Sequence, residues 1–504
     1  MISGLNFLFW AFISAVVYAQ SPLYTSNQNQ YFLHGLARAG FGYLNRDWLA
    51  NTLDPVPAFS LLVSITYSLF KNDFCFYVYY SLLLGVYVFS LAGIIGELLN
   101  LQPPHRTLAV LFLILAIHSA GFRFLVSRFI NPEWSFLLEG GLAGQRVLGQ
   151  VFQPSAFGVF LMLAIFLYIH KRTYLALAAV ALAATFHPTY LLSGAILTSA
   201  FMAAELIDKK PLLRVLGMGV FTAALVLPIL AYVFSGFATT PPEMAGQARD
   251  ILVNYRIPHH ARVSDWLNAS AYLQLGLVCA TLLSLRGTKL FPVVLVSSLM
   301  VAALTALQVI TTSDFLALLL PWRLSVVLVP LSVTYLLARL LSPAMDWIER
   351  QGDKAQKASV YFCLSGISLL MILGSVRFEI ELSEKGTSPE NAVMAYVRQN
   401  KSPQDVYLVP VKLQDFRLAS GAPIFVDFKA IPYRDREVLE WYRRVHLAEK
   451  FYRVKKERCE TLELIRQSSQ ITHAVIERGE TIPSCGEWQM VYADDFYQIA
   501  KLNE

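Results

Sequence analysis

Charge is scarce in this sequence. Only 15% of its 504 residues are Asp, Glu, Lys or Arg, against about 25% in a soluble globular protein, which argues against a wholly soluble enzyme. Cysteine is scarcer still, at five residues. Cys75, Cys279 and Cys363 lie in apolar runs and only Cys459 and Cys485 fall near the C-terminus, with no CxxC or Cys/His spacing anywhere, so no zinc site is expected. Those two late cysteines would pair in an oxidising compartment, and two free thiols are the equal alternative. The sequence has no Walker loop, no GxSxG, no internal repeat and no low-complexity tract. Basic excess is small: the net charge is +6, it comes from the apolar part of the chain, and it reports loops beside lipid. No nucleic-acid partner is expected.

What fills the sequence is apolar surface, at 56% of residues. Of the 41 Lys/Arg and 35 Asp/Glu, 19 and 20 fall in Arg377–Glu504. The expected fold class is therefore an α-helical polytopic membrane body, residues 1–376, followed by a small soluble α/β domain, residues 377–504. Eleven apolar segments reach spanning length or fall slightly short of it: Leu5 to Ala19, Phe74 to Leu99, Thr107 to Leu125, Pro154 to His170, Tyr174 to Phe186, Tyr190 to Ile207, Leu212 to Phe234, Ala271 to Leu285, Leu290 to Ile310, Leu324 to Leu341 and Val360 to Val376. The first ends in Val17-Tyr18-Ala19-Gln20, which imitates a signal-peptidase site. It has no basic residue before it and more spans follow, so it reads as an uncleaved span.

Short basic connections mark the cytoplasmic side. His105-Arg106, Lys171-Arg172, Lys209-Lys210, Arg286 with Lys289, and Arg339 through Lys357 fall on one side by strict alternation. The N-terminus is then cytoplasmic and the C-terminal domain extracytoplasmic, with the long segments, including the first loop at residues 20–73, on the outer face. Val56 to Phe70 breaks this parity if it crosses. It is short, and Asp54-Pro55-Val56-Pro57 and Lys71-Asn72-Asp73 bound it, so it reads as an amphipathic helix in the outer interface. Tyr31 to Leu44 is a second candidate of that kind. In the tail, Pro389 to Asn400 and Asp435 to Gln467 read as helix, and Val406 to Val411, Ile424 to Phe428, Ile471 to Ile476 and Phe496 to Leu502 as strands.

The order Asn45-Arg46-Asp47-Trp48-Leu49, Asp54-Pro55-Val56-Pro57, an interfacial apolar helix and then the long span Phe74 to Leu99 resembles the start of the GT-C superfamily of polytopic membrane glycosyltransferases, here in a bacterial form. The layout of about eleven spans with a soluble C-terminal domain outside is also similar to that superfamily. The resemblance implies transfer of a sugar from a polyprenyl-phosphate carrier to a glycan, lipid or protein acceptor at the outer face of a bacterial inner membrane. It implies a first-loop carboxylate as general base or as ligand of a divalent metal. Asp47 matches that acid, without a second acid directly beside it, and Asp54 is the other catalytic candidate, with helix capping as its plainer role.

A departing phosphate needs cations to accept its charge. Arg146, in the polar loop Gly121 to Gln153, is the first choice, with Arg256, Arg262 and His260 in the loop Ser235 to Ser270 and Arg323 at the start of a span. Arg146 is expected to face one cavity with Asp47 and one or more of these groups. Interfacial anchoring is the plainer reading of Arg146 taken singly and the equal alternative for Arg323, and consecutive histidines such as His259 and His260 are mostly surface residues. Arg417 and Lys429, in Phe416-Arg417-Leu418-Ala419-Ser420-Gly421 and Phe425-Val426-Asp427-Phe428-Lys429, are acceptor-binding candidates or, alternatively, strand-edge charges. Two other functions fit the composition: a transporter or flippase of lipid-linked or envelope precursors, and a non-catalytic membrane assembly subunit. A transporter places ionisable groups at mid-span and repeats its halves, whereas here polar residues gather at one face.

Overall fold

The computed structural model describes residues 4–237 and 240–503. Each of the eleven apolar segments is helical. Among the described residues, six helices are long and apolar enough to cross a membrane. A seventh crossing forms if Pro104–Ile117 and Ala120–Phe129, bent by 50°, count as one. The bend falls at Ser119, whose hydroxyl accepts from Phe122 N at 2.9 Å and so restarts the helix in a new direction. The four remaining segments, Leu5–Tyr18, Pro154–Ile169, Thr173–Phe186 and Ala269–Ser284, are shorter than the hydrocarbon core requires. They are helices packed on protein: in Thr173–Phe186 the alanine-rich face formed by Ala176, Val180, Ala183 and Ala184 is buried.

The chain divides into two compact units. Unit 1 contains the first span up to Gln20, then Phe76–Val233 and Val253–Glu379; unit 2 contains Ser21–Cys75, Phe234–Leu252 and Ile380–Glu504. The first loop thus folds with the tail.

In unit 2, Pro57–Phe70 is one helix. Phe59, Ser60 and Val63 turn inward, where Gly35 approaches so closely that a Cβ there would lie 2.6 Å from that of Val63. On the opposite side Leu61, Ile65, Leu69 and Phe70 are exposed, an apolar face at helical spacing that suits the membrane interface. Tyr31 to Leu44 is different from its expectation. Only Leu33–Arg38 is regular helix there, and Phe32, Leu33 and Leu36 are fully buried, so this segment is core and not an interfacial helix.

The tail forms a four-stranded sheet of β1 (Tyr407–Leu408), β2 (His473–Glu477), β3 (Trp488–Ala493) and β4 (Tyr497–Leu502) in the order β1-β2-β4-β3. β1 and β2 are parallel and the other pairs antiparallel. Asn391–Asn400 packs Val393 and Val397 onto Val475 and Ile499. The charged helix breaks at Val454 into Asp435–Arg453 and Arg458–Ser468, and Cys459 is joined to Cys485. Ile424 to Phe428 is not a strand. One bridge links Tyr407 and Ile424, made by Tyr407 N to Pro423 O and Phe425 N to Tyr407 O, and on the other edge the Ile424 N–H donates to Asp47 Oδ2 at 3.0 Å.

Candidate functional site

In unit 1 the loop after Ala120–Phe129 turns sharply at residues 140–145. Ala143 and Gly144 take left-handed backbone (φ 59° and 62°). A Cβ on Gly141 would lie 2.5 Å from Ser325 Oγ, so only glycine permits the approach by which Leu142 N donates to that hydroxyl at 2.8 Å. Around this turn lie two buried charged side chains, Arg123 and Glu139, and a half-buried one, Arg146.

Arg123 Nη1 donates to Glu139 Oε1 at 3.2 Å and to His118 O at 2.9 Å, and Nη2 donates to Tyr18 O. Its guanidinium lies 4.2 Å from the Tyr18 ring centre. Arg123 is therefore fully engaged. Glu139 is buried, its Oε2 has no hydrogen-bond partner, and burial pushes its carboxyl up to about 7 against the pull of Arg123 and Arg146. Arg146 stacks 3.6 Å from the Phe136 ring centre and forms no hydrogen bond or ion pair among the described residues. Burial pulls its pKa down, although Tyr18 and Glu139 favour the cation. Beside it both amide atoms of Gln145 are buried without partners, as are Gln153 Oε1 and Ser155 Oγ. Buried polar atoms are normally hydrogen-bonded, so this density of unmet ones marks a place for a polar ligand or water.

Arg323 lies 4.8 Å from the ring centre of Tyr190, which donates to Ser155 O at 2.8 Å; Arg323 Nε is buried and unpartnered. His260 lies in the field of both Arg323 and Arg146. Burial first, then His259 and the two arginines, pushes its pKa down to about 4. Its Nδ1 donates to Ala143 O at 2.6 Å, and its own carbonyl accepts from Trp322 Nε1 at 3.1 Å. Neutral His260 thus braces the turn and offers no donor from Nε2. Of the five expected phosphate ligands, Arg146, Arg323 and His260 gather here. Arg262 instead pairs with Asp265 at 3.5 Å on a well-exposed turn, and Arg256 ends the π-helical turn Ile251–Arg256.

In unit 2, Asp47 is 0% exposed and both of its oxygens are used. Oδ1 accepts from Leu49 N at 2.9 Å and Ala50 N at 3.4 Å; Oδ2 accepts from Arg417 Nε at 2.9 Å and Ile424 N at 3.0 Å. Arg417 is likewise buried and donates through Nη1 to Asp427, whose pKa is raised by burial despite Arg417. Lys429 stands two residues beyond and is partly exposed. Next to Asp47, Trp48 stacks on Arg444 at 4.3 Å. Asp54 differs. Its Oδ1 accepts from Val56 N and Ser60 Oγ, both at 3.0 Å, and Oδ2 lies 2.9 Å from Arg38 Nη2, whose side chain is 48% exposed. Buried His34 lies in the field of Asp54, and burial lowers its pKa.

Among the described residues no three His, Cys, Asp or Glu side chains converge as metal ligands. Both oxygens of Asp47 are already occupied by hydrogen bonds. Arg123 and Glu139 both belong to the polar loop Gly121 to Gln153, and nothing in the glycine-free run between them marks their pairing.

Residues 388–448 match the family described as "Domain of unknown function (DUF6798)". No curated protein sequence matches the chain. Among solved structures, ArnT from Cupriavidus metallidurans bound to undecaprenyl phosphate is similar with a TM-score of 0.51 and 12% identity, over 99% of this chain and 97% of that one. The apo form of the same protein gives a TM-score of 0.45 at the same identity and coverage. At such identity the likeness concerns architecture, and it agrees with the expectation drawn from the first loop: the chain has a polytopic membrane fold like that of ArnT.

Proposed function

We propose that this protein is a membrane glycosyltransferase that takes a sugar from a polyprenyl-phosphate donor and passes it to a hydroxyl of a glycan, lipid or protein acceptor at the outer face of the membrane. The observation that carries this reading is Arg146: a half-buried guanidinium with unspent donors, in the same cluster as Arg323 and unpartnered amides, on a GT-C fold. An arginine that makes no hydrogen bond or ion pair of its own suits an anion that arrives with the substrate. A similar structure binds undecaprenyl phosphate, which supports the same donor class here.

In the proposed step, Arg146 and Arg323 hold the carrier phosphate. The acceptor oxygen attacks the anomeric carbon as the bond from that carbon to the phosphate oxygen breaks. The electron pair departs on the phosphate, where the arginines stabilise it. The acceptor proton passes to a general base, for which the family resemblance offers the first-loop acids; within unit 2, Asp54 Oδ2 meets the half-exposed Arg38, whereas both oxygens of Asp47 are taken by hydrogen bonds. Asp47, Arg417 and Asp427 then fasten the first loop to the tail within unit 2, while Lys429 is the acceptor contact that stays partly exposed. The pairing of Cys459 with Cys485 supports an oxidising, extracytoplasmic compartment for the tail.

The test is incubation of the purified protein with a panel of polyprenyl-phosphate sugars and acceptors. Acceptor-dependent release of free carrier, lost in Arg146→Ala, is the expected result. Carrier that never binds, or binds equally well to Arg146→Ala, would refute the reading.

A further inference from the structure

The helix Phe74–Leu99 holds Tyr80 near the turn described above. Toward its other end it borders a separate cavity of about 400 Å³. Gly85, Ala92, Gly93 and Gly96 line it from that helix; Gly85 and Gly93 let Ala11 and Phe166 pack close, a Cβ there lying 2.6 Å and 2.3 Å from them. Phe7, Trp10 and Phe89 form the walls. The rim is polar, with Glu97, Asn100, Gln102 and His170, and no Lys or Arg lines the cavity.

Three features of the rim favour a cation that has hydrogens to donate. Glu97, exposed in the last turn of the helix, forms no hydrogen bond or ion pair among the described residues, so its carboxylate is open to a cation at the rim. The helix ends at Leu99, so its last carbonyls put the negative end of the helix dipole at the same place. His170 Nδ1 donates to Phe166 O at 2.9 Å, which leaves Nε2 as an acceptor. Aromatic walls add attraction for an ammonium group. An anion entering here would meet acceptors only. Below the rim the surface is apolar and suits hydrocarbon.

We propose that this cavity is a binding site for a membrane phospholipid with a primary ammonium headgroup, an ethanolamine phospholipid. Its ammonium group donates to Glu97 and His170 Nε2, its acyl chain lies along the glycine side of the helix, and its phosphate is directed toward Lys171 and Arg172, the exposed basic pair that follows His170. A choline headgroup has the charge without N–H donors, and a glycerol headgroup has no cation. The site is independent of the proposed transfer reaction.

The experiment is lipid retention by the full-length protein, stripped in detergent and re-exposed to dioleoyl vesicles of phosphatidylethanolamine, phosphatidylcholine or phosphatidylglycerol, with bound lipid counted by mass spectrometry. The expected result is one retained phosphatidylethanolamine, with retention of the other two at least tenfold weaker. Glu97→Gln is expected to remove this preference. Ala92→Leu, which fills the floor without touching the rim, is expected to reduce retention of phosphatidylethanolamine, and thermal unfolding reports whether each variant is folded. Equal retention of the three lipids, a preference that survives Glu97→Gln, or displacement of the lipid by soluble ethanolamine alone would overturn the assignment.

Discussion

Asp47 and Arg417 are 370 residues apart in the sequence and 2.9 Å apart in unit 2. Arg417 also pairs with Asp427, so one buried guanidinium balances two buried carboxylates that belong to the first loop and to the tail. Removing one partner of such a group leaves uncompensated charge out of water, which costs about 3–5 kcal/mol. Arg417→Ala is therefore expected to destabilise unit 2 strongly and Asp47→Asn less, since asparagine still accepts one of the backbone N–H groups. Limited proteolysis of the full-length protein, with cleavage sites mapped in the first loop and tail, measures this. Equal resistance of Arg417→Ala and wild type would refute it.

Asp54 is expected to separate from Asp47 in the opposite sense. Its ion-pair partner Arg38 is half exposed, so the pair is screened and contributes little to stability. Asp54→Asn should leave proteolytic resistance and carrier binding nearly unchanged while lowering transfer by about 10²–10⁴-fold, the usual contribution of a general base. Carrier binding that falls as far as the transfer rate would assign Asp54 a different role.

Much of this fold is legible in the sequence because membrane helices report themselves by local composition. Each apolar segment is a helix, and the proline-flanked run Val56 to Phe70 is one helix, Pro57–Phe70, with one apolar face exposed. Short segments such as Thr173–Phe186 reveal helix but not depth, because their neighbours on protein are invisible in one dimension. The candidate site is less legible for the same reason. Arg46 and Arg38 are local to Asp47, yet its partner is Arg417, and Arg38 pairs with Asp54. Ile424 to Phe428 has the composition of a strand, but a carboxylate from the first loop takes one of its N–H groups. The strand Trp488–Ala493 was missed because it is half exposed along its length and lacks a clean alternation.

Arg146→Ala is expected to weaken carrier binding by at least tenfold, from loss of charge-assisted hydrogen bonds to phosphate. Arg146→Lys should recover only part of it, because a lysine keeps the charge but neither the fork of donors nor the flat contact with Phe136. Equilibrium binding of undecaprenyl phosphate to wild type and both variants is the measurement. Full recovery by lysine would reduce the role of Arg146 to a point charge.

Glu139 gives the stability of unit 1 a pH dependence of defined sign. Burial raises its carboxyl in the folded state to about 7, above the ordinary value of about 4.3 for an exposed glutamate. Between those limits the folded state holds the proton that the unfolded state has lost. The contribution of Glu139 is therefore fully present at lower pH and is lost as pH rises toward 7, after which it levels off. Glu139→Gln cannot ionise. Its thermal midpoint relative to wild type should rise from pH 5 to pH 8, whatever the constant cost of weakening the contact with Arg123. A difference that stays flat or falls over that range would show that Arg123 holds the carboxylate charged throughout.

The bridge between Cys459 and Cys485 predicts a thiol count. Cys75, Cys279 and Cys363 are free, so cells lysed directly into denaturant with a maleimide reagent should give protein carrying three labels, and five after reduction. A tail held in the reducing cytoplasm would give five without reduction, and the proposed orientation would fail with it. The bridge closes a loop with a sequence separation of 26, for which the chain-entropy argument gives about 3 kcal/mol. Cys459→Ser should therefore lower the unfolding midpoint of the tail, and the double variant with Cys485→Ser should lower it no further. Additional loss in the double variant would mean that Cys485 contributes packing of its own.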